Sequence, residues 1–302
     1  SWANFENESF KLVSINVSRF DANKHLALAV VGDAKVSLDE LSLALGDWKA
    51  GEEWNKKSQV ELKAWNEYVD KESAPSNQEV PSYVQVIGAI YKNSDPSDIA
   101  VTAAGGLVGE VIQVWRPREL NTHETEWGFS CMSYEISGAL GIKMANPDKE
   151  VISFVGDGSY LLNNTDIYSS VITNNKLIII VCDNGGFAVI NRLQLFKGGN
   201  EYNNLLKSSN TPGLVDIDFA KHAESMGAKS EHVSSISDLE EAFKRAKKSK
   251  VTYVISIKTH AYQWLEGSAF WDSPTLEVPT TKENKEALRL YKEGKSKQRQ
   301  GV

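Results

Sequence analysis

The sequence predicts an α/β chain built on a parallel sheet with helices on both faces, preceded by the remnant of a second α/β domain. Three observations carry this. Short runs such as "VISFV" (151–155) and "LIIIVC" (177–182) are apolar at every position, as strands buried on both faces are. Helical patterns alternate with these runs, which is the order of a crossover-connected parallel sheet. Both runs end abruptly on polar, glycine-containing turns, "GDGS" (156–159) and "DNGG" (183–186), and strand ends are where such sheets bind ligands.

Taken in order, "FKLVSINVS" and "LALAVVGDA" read as strands and "SLDELSLAL" as a helix with Ser37 at its N-cap. Two strands and one helix cannot enclose a core, so residues 1–45 are expected to be the C-terminal part of a larger central domain. Residues 46–80 read as a linker helix carrying Trp48, Trp54 and Trp65, followed by the loop "ESAPSNQEVPS". A domain spanning 81–265 follows. "YVQVIGAIYKN" is a helix with Val84, Ile87, Ile90 and Tyr91 on one face. "DIAVTAAGG" is a strand entering a glycine turn, and "SYEISGALGIKMA" a helix of small residues. After "VISFV" come the helix "DIYSSVITNN", the strand "LIIIVC", the helices "DFAKHAESMG" and "DLEEAFKRAKKS", and the strand "TYVISIKT". Residues 266–302 form a C-terminal extension whose basic end reads as a solvated helix.

The chain has 302 residues, 41% hydrophobic and 24% charged, with a net charge of −7. That balance is globular and argues against a general nucleic-acid binder. No run approaches the ~20 apolar residues of a membrane span, and "SWANFENESF" has no signal-peptide pattern. Cys131 and Cys182 lie in apolar contexts without C-x-x-C spacing, which suggests reduced thiols and a cytoplasmic location. The absence of an initiator Met suggests a processed chain or a piece of a longer one.

The two polar strand ends form the central constellation. Residues 159–182 lie between Gly158 and Asp183, a length that suits one crossover and places the two ends side by side. Magnesium takes oxygen ligands in an octahedron, few of them from protein. Asp157 offers a carboxylate, Asn184 an amide oxygen and Gly186 a backbone carbonyl. Gly156 and Gly158 let the backbone approach a phosphate, and Ser159 with the N–H groups opening the next helix can bind its oxygens. Asp183 is read as holding the turn by bonding to backbone rather than as a ligand. No G-x-G-x-x-G follows any strand, which excludes a dinucleotide fingerprint as the main reading.

Gly-Asp-Gly followed by "DNGGF" resembles the signature of thiamine diphosphate enzymes. "AAGGLVGE" (103–110), with Gly105 and Gly106, is similar to the turn that holds the diphosphate from the far side. "GFSCMSYEISGALG" (128–141) resembles the family's G-x-M-G segment. The resemblance implies that Met132 props the cofactor in its bent form and that the Ser130 carbonyl accepts from the pyrimidine amino group. It also assigns Phe187, beside Gly186, to the cofactor site. Ser133 stands where the pattern has Gly, and "NTHETEWG" departs from the aromatic-His pattern before Glu-aromatic-Gly.

With "EWGFSCMSYEISGALGIKMANPDKEV", "DNGGFAVINRLQ" and the late "FWDSPTLEVP", nearly the whole chain is similar to the C-terminal half of the trihydroxycyclohexane-dione hydrolase family of inositol catabolism. This implies thiamine diphosphate and Mg2+ as cofactors, a cyclic diketone as substrate, and ring opening by C–C cleavage to a deoxy-hexuronic acid, 5-deoxy-glucuronate. It also implies a homodimer or tetramer, with the catalytic glutamate on an N-terminal pyrimidine-binding domain or chain that this sequence lacks. The chain alone is then expected to be inactive, and no glutamate here is assigned that role. Two alternatives stay open: an acetolactate-synthase-like carboligase, and a non-catalytic cofactor-binding part that needs a partner chain.

Other residues are weighed more evenly. His123 and His260 lie near the expected mouth of the site, but exposed loop histidines are common. Glu126 could touch cofactor or substrate, or brace its loop. Cys131 reads as a small packing residue, and His25, His222 and His232 as surface or packing histidines. Trp264, Phe270 and Trp271 read as a lid or interface cluster.

Overall fold

A computed structural model describes residues 9–76, 78–126, 128–210, 216–266 and 275–296. The chain divides into two compact units, one of residues 1–64 and 268–302, the other of 65–267.

In the first unit, β1 (Val13–Asn16), α1 (Arg19–Ala22), β2 (Leu28–Val31) and α2 (Ala34–Leu45) follow one another. β1 and β2 pair in parallel. Several of their apolar side chains are exposed, including Leu28, Val31, Leu38 and Leu43. The N-cap of α2 is Asp33, whose carboxylate accepts the Val36 N–H at 3.0 Å. Ser37, expected to be the cap, lies one turn inside the helix. Asp33 directly follows Gly32 at the end of β2, so the helix starts as soon as the strand stops. α3 (Glu52–Glu72) ends in the second unit.

The second unit begins with α4 (Tyr83–Asn93), opened by a reciprocal capping box between Ser82 and Gln85. Then come β3 (Ile99–Thr102), α5 (Gly105–Val114), β4 (His123–Thr125), α6 (Tyr134–Ala145), β5 (Val151–Gly156), α7 (Asp157–Leu162) and α8 (Thr165–Ile172). β6 (Ile178–Asp183), α9 (Ala188–Phe196), α10 (Phe219–Ser225), β7 (Lys229–Val233), α11 (Ile236–Lys248) and β8 (Tyr253–Lys258) complete it. α12 (Lys282–Ser296) belongs to the first unit.

Strands β4-β3-β5-β6-β8-β7 form one six-stranded sheet, parallel throughout. Side chains alternate along each strand, which splits the core in two. Ile152, Phe154, Ile178, Ile180 and Cys182 pack with Ile87, Leu107 and Phe243 of α4, α5 and α11. Val151, Val155, Ile179 and Val181 pack with Ile136, Tyr160, Ile167 and Phe219 on the opposite face. Each such large side chain stabilises the fold by about 1.5–3 kcal/mol. This two-sided burial is why the strands are apolar at every position.

From β3 the chain passes to β4 on one side, then returns to place β5 on the other. The order therefore reverses between β3 and β5, and a crevice opens at their carboxyl ends. α5 leaves the end of β3, α7 the end of β5, and the Asp183–Phe187 turn the end of β6.

Candidate functional site

Register fixes the site first. Gly156 of β5 lies opposite Cys182 of β6, so Asp157 and Asp183, each one residue further on, sit side by side. The turn after β6 is then held in four places. Asp183 Oδ1 accepts the Gly185 N–H at 2.9 Å, and its Oδ2 pairs with Lys258 Nζ at 2.6 Å. The Leu206 N–H donates to the Gly185 carbonyl at 2.8 Å, and the Phe187 N–H to the Asn204 carbonyl at 2.7 Å. Asp183 is thus a brace of the turn.

The last two bonds flank a short antiparallel bridge between Gly186 and Leu205. A residue at such a non-hydrogen-bonded position turns its own N–H and C=O away from the paired segment. The Gly186 N–H goes to Asp157 Oδ2 at 2.7 Å, and its carbonyl faces the same side. Gly186 reaches this geometry at φ 138°, and a Cβ there would stand 2.5 Å from the Asn204 carbonyl oxygen. Only glycine fits without displacing the backbone.

Asn184 follows Asp183 in the same turn. Its Nδ2 donates to the Tyr83 hydroxyl, while its buried Oδ1 has no hydrogen-bond partner. A buried amide oxygen left unbonded costs about 1–3 kcal/mol, and a cation at the site would recover that cost. Asp157 is 5% exposed, and burial, then the nearby Asp183 charge, pushes its carboxyl up to about 7. A bound cation would favour the ionised form. No cluster of three His, Cys, Asp or Glu side chains suited to a metal occurs among the described residues. A cation here would be held by one carboxylate, one amide oxygen and one backbone carbonyl.

The cradle around these oxygens comes from two helix starts. Gly105, at φ 77°, opens α5 behind Ala104, which gives no side-chain cap; the first N–H groups of that helix face the crevice side. Gly106 follows, with the side chain of Val189 3.4 Å from where its Cβ would lie. Gly156 and Gly158 flank Asp157 at the start of α7. A Cβ on Gly158 would meet the Phe187 ring at 2.6 Å, so this glycine admits the ring beside the strand end. Phe187 itself is 45% exposed.

The hydroxyl of Ser159, expected at a phosphate, is committed inward. It donates to Glu135 at 3.0 Å from each carboxylate oxygen and accepts the Ser133 N–H at 2.8 Å. Ser159 is 5% exposed, so what remains for a ligand is its backbone. Glu135, 1% exposed, also accepts the Ala104 N–H at 3.1 Å. Burial pushes its carboxyl up. One buried carboxylate therefore ties together the starts of α5, α6 and α7.

Ser130 and Met132 lie on the segment between β4 and α6. Ser130 has φ 50°, and its Oγ donates to the Ala103 carbonyl at 3.2 Å. Glu126 shapes this segment: its carboxylate accepts the Phe129 and Cys131 N–H groups, each at 2.7 Å. Those two bonds hold its carboxyl below the usual range. Glu126 is a loop brace here. Ser133 has φ 82°, a left-handed conformation that glycine adopts without strain.

His123 Nε2 lies 3.0 Å from Thr125 Oγ1, and burial lowers its pKa. His260 accepts the Tyr262 N–H at 3.1 Å. It lines a small cavity with Tyr83, Gly106, Glu110, Arg192 and Trp264, and the Arg192 guanidinium stacks 4.1 Å from the Trp264 ring centre. Burial pushes Glu110 up to about 7, against its bonds to the Leu265 N–H at 3.1–3.2 Å. His222 meets the Tyr160 hydroxyl and His232 meets Ser256. Cys131 is exposed and Cys182 buried, both as free thiols. Phe270 and Trp271 lie outside the described residues.

Sequence reasoning missed Glu135, Tyr83 and Glu110. Only Glu135 carried a signal, as the lone carboxylate in a helix of small residues.

Comparison with known proteins agrees with this geometry. The family described as thiamine pyrophosphate enzyme, C-terminal TPP binding domain, matches residues 103–257. The 3D-(3,5/4)-trihydroxycyclohexane-1,2-dione hydrolase of Clostridium tetani is 35% identical over 88% of this chain and 46% of its own length. The protein of the same name from Geobacillus thermodenitrificans is 34% identical over 94% of this chain and 49% of its own. The chain thus spans about half the length of the curated relatives it matches. A thiamine diphosphate-dependent 4-hydroxybenzoylformate decarboxylase from Rhodococcus jostii shares the fold, with a TM-score of 0.53 and 22% identity over 62% of this chain and 34% of that one. The switch-point crevice, the oxygen set at its floor and the family match converge: the chain belongs to the thiamine pyrophosphate enzymes and carries their C-terminal cofactor-binding domain.

Proposed function

We propose that this chain is the cofactor-holding half of a thiamine diphosphate- and Mg2+-dependent hydrolase that opens the ring of trihydroxycyclohexane-1,2-dione to give 5-deoxy-glucuronate, a step of inositol catabolism. The carrying observation is that Asp157, at the end of β5, bonds to the Gly186 N–H in the turn after β6, and that the same turn holds the buried, unpartnered Asn184 Oδ1. The choice of substrate rests on the names of the relatives.

The residues present fit the cofactor. Asp157, Asn184 and Gly186 would hold Mg2+ against the diphosphate, and the α5 start at Gly105 and Gly106 would bind its oxygens from the far side. Ser130 and Met132, on the loop braced by Glu126, would meet the pyrimidine. When bound, thiamine diphosphate supplies an electron sink for cleaving a C–C bond beside a carbonyl, with Mg2+ as its template.

The chain's own part in the reaction is binding and orientation. Asp183 and Lys258 fix the turn, Asp157 and Asn184 would hold the ion, and Glu135 joins the three helix starts. The acid–base glutamate would come from a pyrimidine-binding domain on another segment or chain, in a homodimer or tetramer. Exposed Phe129, Leu162, Phe187 and Ile190 on segments bordering the crevice are consistent with a covering partner.

The test is to incubate the chain with the dione, thiamine diphosphate and Mg2+, with and without the N-terminal half of the Clostridium tetani relative. Ring-opened acid formed only with both halves supports the reading. A carboligation product from added pyruvate, with no ring opening, would replace it with the acetolactate-synthase-like alternative.

A further inference from the structure

We infer that Tyr83 is a positioning residue for the cation site: its hydroxyl oxygen is the acceptor that holds the Asn184 amide with Oδ1 toward the metal. This rests on the proposed metal–diphosphate reading of the site and adds a residue from outside the strand-end turns.

An asparagine that ligates a cation through Oδ1 must place its Nδ2 somewhere. At the surface, water accepts from it. Here the surroundings are closed: Tyr83 is 8% exposed and packs in the core cluster of α4, α5 and α11. Asn184 Nδ2 donates to the Tyr83 hydroxyl. The Cys182 thiol and the Asp157 and Asp183 carboxylates also act on Tyr83 from nearby. Turned toward Asp157, the amide would put an N–H where a cation must bind. Accepted by Tyr83, it presents oxygen.

The capping box of Ser82 and Gln85 fixes the first turn of α4, and hence the place of Tyr83. The His260 N–H bonds to the Pro81 carbonyl at 2.9 Å, which ties the same turn to the end of β8. The ring therefore enters the site from a rigid element, as a group that orients a ligating side chain should. Losing such a partner typically costs 10–100-fold in metal affinity.

The test uses Tyr83→Phe, which keeps the ring and removes only the hydroxyl. Mn2+ is titrated into the wild-type and variant chains with thiamine diphosphate present, and thiamine diphosphate is titrated at saturating Mn2+. The inference predicts a Mn2+ half-saturation raised roughly tenfold or more, with cofactor affinity at saturating Mn2+ unchanged within about twofold. In an Asn184→Ala background, Tyr83→Phe should add nothing, since the two act on one bond. A Mn2+ response equal to wild type would overturn the inference while leaving the site reading intact. Equal losses in both titrations, or an undiminished effect in the Asn184→Ala background, would make Tyr83 a packing residue only. A wild-type chain that binds neither Mn2+ nor cofactor would overturn the site reading, and the inference with it.

Discussion

Asp157 and Gly186 meet across the ends of two neighbouring strands, the carboxylate oxygen Oδ2 accepting the Gly186 N–H at 2.7 Å. This bond sets the spacing of the site, because the same glycine offers its carbonyl on the side that Asp157 faces. It also makes Gly186 the least replaceable residue of the turn.

Gly186→Ala is therefore predicted to destabilise the second unit. The variant combines a positive φ of 138° with a Cβ 2.5 Å from a backbone oxygen. Relief requires moving the 204–206 segment or breaking the bond to Asp157. A loss of about 2–3 kcal/mol is expected, read from urea unfolding. A change below about 0.5 kcal/mol would show that the bridge to Leu205 is loose.

Ser133→Gly is predicted to act the other way. The serine is held at φ 82°, and the left-handed conformation costs a non-glycine residue roughly 1–2 kcal/mol. The Ser133 N–H that bonds to Ser159 is kept. The variant should gain about 1 kcal/mol of stability, since added chain entropy in the unfolded state offsets part of the relief. A thermal melt showing destabilisation would mean that the Ser133 side chain contributes more than its strain costs.

Glu135→Ala removes the carboxylate that accepts from Ala104 and Ser159. It should cost about 3 kcal/mol through the unpartnered donors and the cavity left behind. Glu135→Gln keeps one acceptor oxygen and should cost under about 1 kcal/mol. Equal losses for the two would show that the ionised carboxylate, rather than its hydrogen bonds, joins the three helix starts.

Glu110 gives the fold a pH signature. Its carboxyl is pushed from 4.5 up to about 7 by burial, so the folded state holds a proton that the unfolded state has released. Stability then falls as pH rises from about 4.5 to 7 and levels off above. Glu110→Gln abolishes this titration while keeping an acceptor for the Leu265 N–H. The variant should exceed wild type at pH 8 by up to about 3 kcal/mol, with the gap closing toward pH 5. Parallel pH–stability curves would contradict this.

The sheet and its polar strand ends were legible in the sequence because each rests on local pattern. Unbroken apolar runs marked the buried central strands, and Gly-Asp-Gly and Asp-Asn-Gly-Gly marked their ends. β4 and β7 were not legible, since "HET" and "KSEHV" are short, polar edge strands without alternation. α5, α7 and α9 were absorbed into the glycine turns that open them. The inward turn of Ser159 depends on Glu135, 24 residues earlier in the chain, and the amide orientation of Asn184 on Tyr83, 101 residues earlier. Spacing cannot show which of two neighbours a hydroxyl or amide will choose.

The central claim is that the ends of β5 and β6 hold a metal–diphosphate. Calorimetric titration of the chain with thiamine diphosphate, with and without Mg2+, tests it most directly, with Asp157→Ala in parallel. The account predicts binding by the wild-type chain that requires Mg2+ and is lost in the variant, whose folding is checked by circular dichroism. Binding that is indifferent to Mg2+, or equal in Asp157→Ala, would contradict it.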